Sequence, residues 1–292
     1  MKIKFFSDNF KPEVLLKRFL DNYNVYDEAL QFTINDDYDY AVVFNKAYHK
    51  INDNAKVITI IQEPSWSSVH INNQFLTNSD YLVIHDPELF ENLHHIELGK
   101  KVFEAPSYMF YHDEINRSFF DAAAQVPKTK KLSMIVSSLG MELGNYGKRL
   151  RLLRKILASD LDIDIYGKGF NLADERYKGA LEYKHTGLLP YEYSIAVENS
   201  REKNYITEKF VDCALCHTIP IYNGAPNISE VYNEKYFRTI DLDSPTIIDD
   251  IREIIKTPAP KQDVDSNKDR YFQQRNIYQL IKDIVKLDSK SN

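Results

Sequence analysis

The chain has 292 residues, 43% hydrophobic and 27% charged, enough for about two domains of the usual roughly 100 to 200 residues, each with a core of its own. That balance excludes a wholly disordered or membrane-embedded protein, and two cysteines exclude a disulfide framework. With 37 Lys and Arg against 43 Asp and Glu, a net charge of −6, no general affinity for nucleic acid or anionic lipid is expected, so any phosphate should be held in a local pocket.

Residues 1–7 alternate around Lys2 and Lys4 and read as a first strand, too short for the apolar middle of a signal peptide. No run approaches the roughly 18 apolar residues of a membrane span, which makes the cytoplasm, or the inner face of a membrane, the expected address. Further strands are expected at 40–44, 56–61 and 81–84, with helices at 13–23 and 87–93: one Rossmann-like unit. The stretch 113–131, with an alanine cluster, a proline and a basic run, marks the junction between domains. A second series follows, with strands at 132–137, 163–166, 193–197, 219–222 and 237–241 and helices at 147–158, 207–216, 228–232 and 246–256. Beyond Pro258 and Pro260, one last helix at 269–287 carries an apolar stripe of Ile277, Leu280, Ile281, Ile284 and Val285. That stripe must pack on the body of the chain, or on a partner or membrane surface. The pattern is α/β, two Rossmann-like domains facing a cleft, with boundaries at 1–125, 126–262 and a C-terminal helix and tail at 263–292.

The densest polar signal is Glu198-Asn199-Ser200, directly after an apolar run, followed by Tyr205-Ile-Thr-Glu208-Lys209 at the start of a helix. Strand carboxyl ends face the crevice of an open parallel sheet, and helix N-termini attract anions. Lys209 there suits a diphosphate, and Glu208 can accept hydrogen bonds from ribose hydroxyls. Read alone, Glu208 is equally a first-turn charge complementing the helix dipole and Lys209 a solvated surface residue.

The combination Ser194-Ile-Ala-Val-Glu198-Asn-Ser200, Tyr205-Ile-Thr-Glu-Lys209, Ala214-Leu and Ile219-Pro-Ile-Tyr-Asn-Gly224 resembles the signature of the α1,3/α1,4-fucosyltransferases, glycosyltransferase family 10, over about thirty residues without a gap. Ile135-Val-Ser137-Ser138 followed by Arg149 is similar to the family's phosphate-binding strand and downstream arginine, with Ser138 where Asn is usual. The resemblance implies a GT-B type fold in which the N-terminal domain binds the acceptor and the C-terminal domain GDP-fucose. It implies transfer of L-fucose to a hydroxyl of an oligosaccharide acceptor, α1,3 to a GlcNAc-type sugar, with inversion. By the same resemblance Arg149 and Lys209 neutralise the diphosphate, Glu208 and Tyr205 position nucleoside and phosphates, Asn199 and Ser137 donate hydrogen bonds, and Glu198 lies near the fucose. Fixed cations and N–H groups can stabilise the departing GDP in place of a metal, so no cofactor or divalent ion is expected.

An inverting displacement needs a base within reach of the acceptor hydroxyl. Glu63, in Gln62-Glu-Pro-Ser65 after the strand at 56–61, is similar to the family's N-terminal Glu motif, with Glu88, Glu91 and His85 in reserve and Trp66 placed to line the acceptor site. Cys213-Ala-Leu-Cys216-His217 has the form of a c-type haem attachment site. It falls late in a helix with no second cysteine pair, and reads as buried thiols. His185, before Thr186-Gly187, is a loop histidine that could contact substrate. Two other readings stay open: an inverting transferase using a different nucleotide sugar, and a noncatalytic nucleotide-sugar-binding module.

Overall fold

The computed structural model describes residues 1–23, 29–106, 117–139 and 144–291. The stretch 113–116 of the expected junction lies outside them. The chain forms two compact units: residues 1–117 with 202–205 and 272–292, and residues 118–201 with 206–271.

The first unit contains β1 (Lys2–Ser7), α1 (Pro12–Tyr23), β2 (Gln31–Phe32), β3 (Tyr40–Phe44), β4 (Lys56–Ile60), α2 (Phe75–Asn78), β5 (Tyr81–Ile84), α3 (Pro87–His94) and β6 (Val102–Glu104). Its six strands are all parallel, in the order β2-β1-β3-β4-β5-β6. Every residue of β3 and β5 is buried, the mark of strands covered on both faces, which is why these segments read as continuous apolar runs rather than alternating ones. α3 starts where expected because Asp86 accepts the Leu89 N–H and Pro87 opens the first turn.

The second unit holds α4 (Arg117–Ala123, its first residue counted with the first unit), β7 (Lys130–Ile135), α5 (Tyr146–Leu157), β8 (Asp164–Tyr166), β9 (Tyr191–Val197), α6 (Glu208–Leu215), β10 (Ile219–Asn223), α7 (Ile228–Val231), β11 (Arg238–Thr239) and α8 (Ile247–Lys256). Its sheet is again all parallel, ordered β11-β10-β9-β7-β8. Leu152, Leu153 and Ile156 of α5 and Ile247 and Ile251 of α8 pack with Leu132, Met134, Tyr193, Ile195, Ile219 and Ile221 of the strands in one core. Both units are thus Rossmann-like, as the alternation of strands and helices indicates.

Two expectations are corrected. The strand expected at 237–241 is only the two-residue edge β11. The helix expected at 269–287 is two helices, α9 (Asn267–Gln274) and α10 (Ile277–Ser291). Asn276 makes the break: its carboxamide oxygen accepts the Gln279 N–H at 2.9 Å, an N-cap for α10, while its amide donates to the Phe272 carbonyl at 2.7 Å. The short edge strands β2 and β6 and helices α2 and α4 carry too little periodicity to be read from sequence.

The stripe on α10 is covered within the first unit. Ile277, Ile281, Ile284 and Val285 are buried, Tyr278 meets Phe19 and Phe32, and the Asp288 carboxylate accepts hydrogen bonds from Tyr40 (2.6 Å), Tyr81 and Lys56. Among the described residues no helix is long and apolar enough to cross a membrane.

Candidate functional site

In the second sheet the chain leaves β7 toward β8 on one side and runs from β9 to β10 and β11 on the other, so winding reverses between β7 and β9. The loops beyond the carboxyl ends of two such strands diverge, which opens a crevice there. A cavity of about 400 Å³ occupies this place, lined by Met134, Ile135, Val136 and Ser137, by Ser194 to Val197, and by the first turns of α6. Gly167, also in its lining, must be glycine because a Cβ there would stand 1.6 Å from the Val136 carbonyl oxygen.

Four cations line the cavity: Arg149, Lys168, Lys184 and Lys209. Arg149 is buried on α5, its guanidinium 4.5 Å from the centre of the Tyr146 ring, and donates to the Asn199 side-chain oxygen at 2.9 Å. The backbone carbonyl of Asn199 accepts the Asn145 N–H at 2.8 Å, so this residue, just past β9, fixes both the start of α5 and the arginine it carries. Lys209 Nζ lies 2.7 Å from Glu208 Oε1 and 3.8 Å from Glu198 Oε2; Lys184 Nζ lies 3.3 Å from Asp212 and 3.8 Å from Glu208. Burial alone would raise the Glu208 carboxyl, but Lys209, Lys184 and Thr207 outweigh it and hold it well below the usual carboxylate range. Glu208 is therefore a fixed anion, an acceptor for hydroxyls, set among cations that can serve phosphates.

Glu198 is fully buried. Its carboxylate accepts the Thr207 N–H at 2.8 Å and the Thr207 hydroxyl at 2.5 Å, and Thr207 is the N-cap of α6. Glu198, expected near the fucose, does not line the cavity and fastens the helix start that presents Glu208 and Lys209. Gly224 makes room for it, since a Cβ there would stand 2.4 Å from Glu198 Cγ and 2.2 Å from the Tyr222 hydroxyl. Burial pushes the Glu198 carboxyl up to about 7 against the opposing pull of Lys209.

Of the residues singled out in the sequence, Ser137, Arg149, Glu208 and Lys209 line the cavity, with Asn199 bonded to Arg149. Tyr205 does not line it: the side chain is buried in the first unit against His85, with ring centroids 5.2 Å apart. Lys184, Lys168 and Asp212 were not singled out. Lys184 sits in a single 3₁₀ turn, Lys184–Gly187, where no periodicity marks it, while its neighbour His185 packs edge-on against Phe119 at 4.9 Å and does not line the cavity. Cys213 and Cys216 are buried, and burial pushes the Cys213 thiol up to about 12 and the Cys216 thiol well above its ordinary value. They are the inert thiols expected. Among the described residues no three His, Cys, Asp or Glu side chains group as a metal-holding set.

Glu63 is exposed in the first unit, just past β4. Its loop is held on both sides: the Ser65 N–H donates to Glu202 Oε2 at 2.9 Å, His70 Nε2 bonds the Pro64 carbonyl at 3.1 Å, and His94 Nε2 bonds the Ser65 carbonyl at 2.7 Å. Glu202 Oε2 also pairs with buried His85 Nε2 at 2.7 Å. His85, a reserve candidate for the base, is thus committed to Glu202. Burial, with His94 close by, lowers His70 to about 4, so it holds the loop as a neutral imidazole. Neither Glu88 nor Glu91 is buried.

Residues 125–289 match the sequence profile described as "Glycosyltransferase family 10 (fucosyltransferase) C-term". "Alpha-(1,3)-fucosyltransferase fut-5" of Caenorhabditis elegans is 31% identical over 152 residues, 50% of this chain and 36% of that protein. "Glycoprotein 3-alpha-L-fucosyltransferase A" of Drosophila melanogaster is 32% identical over 144 residues, 47% of this chain and 27% of that one. "Alpha-(1,3)-fucosyltransferase FucT" of Helicobacter pylori is 39% identical over 54 residues, 18% of this chain and 11% of that one. The matched stretches thus span about a third or less of these relatives' lengths. A crystal structure of "alpha1,3-Fucosyltransferase with GDP-fucose" superimposes with a TM-score of 0.56 over 98% of this chain and 89% of that one, at 17% identity. At that identity the likeness is one of fold, the GT-B class with its two Rossmann-like domains. The profile match extends over more than half of the 292 residues, and the chain belongs to glycosyltransferase family 10, the fucosyltransferases.

Proposed function

We propose that this chain transfers L-fucose from GDP-fucose to a hydroxyl of an acceptor glycan, α1,3 to a GlcNAc-type sugar, with inversion and without a metal ion. The observation that carries the reading is the β7/β9 cavity, where Arg149 and Lys209 stand at a strand-end crevice beside the N-terminus of α6. As the bond from fucose to GDP breaks, negative charge accumulates on the diphosphate. Preorganised cations and helix N–H groups lower the energy of that state without reorganising. Glu208, kept ionised by its lysines, accepts hydrogen bonds from ribose hydroxyls. Glu63, held by the histidine-bonded loop of the first unit, takes the proton of the attacking hydroxyl.

The test is transfer of labelled fucose from GDP-fucose to N-acetyllactosamine, with and without EDTA. Lys209→Ala should lower turnover about 10²- to 10³-fold, as removal of one preorganised donor does. Arg149→Ala should do likewise and weaken GDP binding, while Arg151→Ala, on an exposed side chain of the same helix, should do neither. Glu63→Gln should cut transfer about 10²- to 10⁴-fold and leave GDP affinity unchanged, because every described residue that lines the donor cavity belongs to the second unit. Near-normal transfer by Glu63→Gln at every pH would remove it as the base. Loss of all activity in EDTA, restored by Mn²⁺, would remove the metal-free reading.

A further inference from the structure

The first unit has a switch point of its own, and a second cavity lies there. The chain leaves β1 toward β2 on one side, while β3, β4, β5 and β6 follow on the other, so winding reverses between β1 and β3. The cavity, of about 400 Å³, is lined by Lys4 and Phe6 of β1, by Tyr38 just before β3, and by loops after β1 and β3 carrying Lys11, His49 and Lys50. Asp36 and Glu13 complete its rim.

Lys4 is the unusual member. It is 8% exposed, and a lysine in such a place normally requires a buried counter-ion. Its one ion-pair partner among the described residues is Asp36 at 2.7 Å, a side chain 93% exposed. The ammonium also lies 5.6 Å from the ring centres of both Phe6 and Tyr38. A buried cation at the wall of a cavity, neutralised by a carboxylate that water can solvate fully once released, is an exchange site. An incoming anion can replace Asp36 with little loss, since the displaced carboxylate regains its hydration. Lys11 and Lys50 on the rim add attraction for an anion. Glu63 lies two strands across from β1, roughly 10 Å at the usual strand spacing, and six residues beyond Val57, with which Lys4 is level through Ala41, so up to roughly 20 Å further along at the usual rise; an oligosaccharide of several sugars spans that distance.

We propose that this cavity binds the anionic group, carboxylate or phosphate, of an acidic sugar, and that the acceptor glycan of this chain is therefore acidic. The second clause rests on the fucosyl-transfer reading above; the first does not. Lys4 donates charge-assisted hydrogen bonds to the anion, and the aromatic walls of Phe6 and Tyr38 exclude water from behind it.

The test is calorimetric titration of the full chain at physiological salt with glucose, glucuronic acid and glucose 6-phosphate. The acidic sugars should bind about tenfold more tightly than glucose, the usual scale for one hydrogen bond to a charged group, and the tighter of the two names the anion. Lys4→Met should abolish that preference and Lys4→Arg should keep it, with both variants melting close to wild type, which shows that the first unit, where Lys4 lies, is folded. Asp36→Asn, on an exposed side chain, should strengthen binding of the acidic sugar severalfold. Equal binding of glucose and both acids, or an acid preference that survives Lys4→Met, overturns the site. With the site upheld, GDP-fucose transfer to a uronate- or phosphate-bearing glycan should exceed transfer to its neutral counterpart, and Lys4→Met should remove the difference. Transfer equally fast to neutral glycans overturns the acidic acceptor and leaves the fucosyltransferase reading intact. Acid-selective binding with no consumption of GDP-fucose upholds the site and overturns the fucosyl reading.

Discussion

Glu198 changes charge within a pH range where most carboxylates do not, because burial holds its carboxyl up near 7. Below that value it is largely neutral and no longer pulls on Lys209, 3.8 Å away, which leaves Glu208 as the carboxylate that shares the ammonium with a diphosphate; above it the Glu198 carboxylate competes as well. A bound anion raises the carboxyl further, so binding takes up a proton and affinity must fall as pH rises through 7. GDP-fucose should therefore bind more weakly at pH 8 than at pH 6, by about tenfold for each unit of that shift. Glu198→Gln, which keeps an acceptor for the Thr207 N–H, should bind with little pH dependence. The diphosphate diester of GDP-fucose does not titrate in this range, so a wild-type affinity flat from pH 6 to 8 would show that Glu198 and the diphosphate are not coupled. Residue identities here were legible in the sequence through the Glu198 and Tyr205 blocks. Their division of labour was not, because the hydrogen bonds that turn Glu198 inward to Thr207 and place Tyr205 on His85 depend on how the chain folds back after β9.

At the scale of elements, strands and helices with strong period were read correctly, and what failed were pieces whose limits are set by single side chains. The two-residue edges β2 and β11 are too short for alternation to register, and the long helix expected at 269–287 is interrupted by the double bonding of Asn276. α10 is held at its far end by Asp288, which is buried against Lys56, Tyr40 and Tyr81. Burial alone would raise this carboxyl, but those three donors outweigh it and lower it to about 2. A carboxyl with a depressed folded value contributes stability that is present above its unfolded value near 3.8 and lost as pH falls through about 2. Asp288→Asn should lower stability at pH 7 by about 2 kcal/mol, the size of a hydrogen bond to a charged acceptor, or on the order of 4 °C in melting temperature. The melting curves of wild type and variant should converge as pH falls from about 4 to about 2. A variant as stable as wild type at pH 7 would mean that the apolar stripe alone holds α10.

For the molecule as a whole, the repeat of one α/β plan in two parallel sheets was legible because strands buried on both faces show as short apolar runs, and helices between them as a longer period. The location of both cavities was not, since a switch point is a property of strand order, and strand order does not show in a single sequence. Its consequence, on the proposed function, is a donor site within one unit, because every described residue that lines the cavity falls between Met134 and Cys213. A ligand that binds only the folded form stabilises it by mass action, by about 2.7 kcal/mol at a hundred times its dissociation constant, which in a domain of this size moves the melting temperature by several degrees. GDP should therefore raise the melting temperature of the full chain by that amount, and Arg149→Ala should erase the shift. UDP presents the same diphosphate to Arg149 and Lys209 but a different base. If the pocket pairs the hydrogen-bonding groups of guanine, those groups are left unpaired by uracil, and a site built that way discriminates strongly. The shift with UDP should then be much smaller at the same concentration. Equal shifts from the two nucleotides would mean that the cavity reads only the diphosphate, and the donor would have to be identified by its sugar.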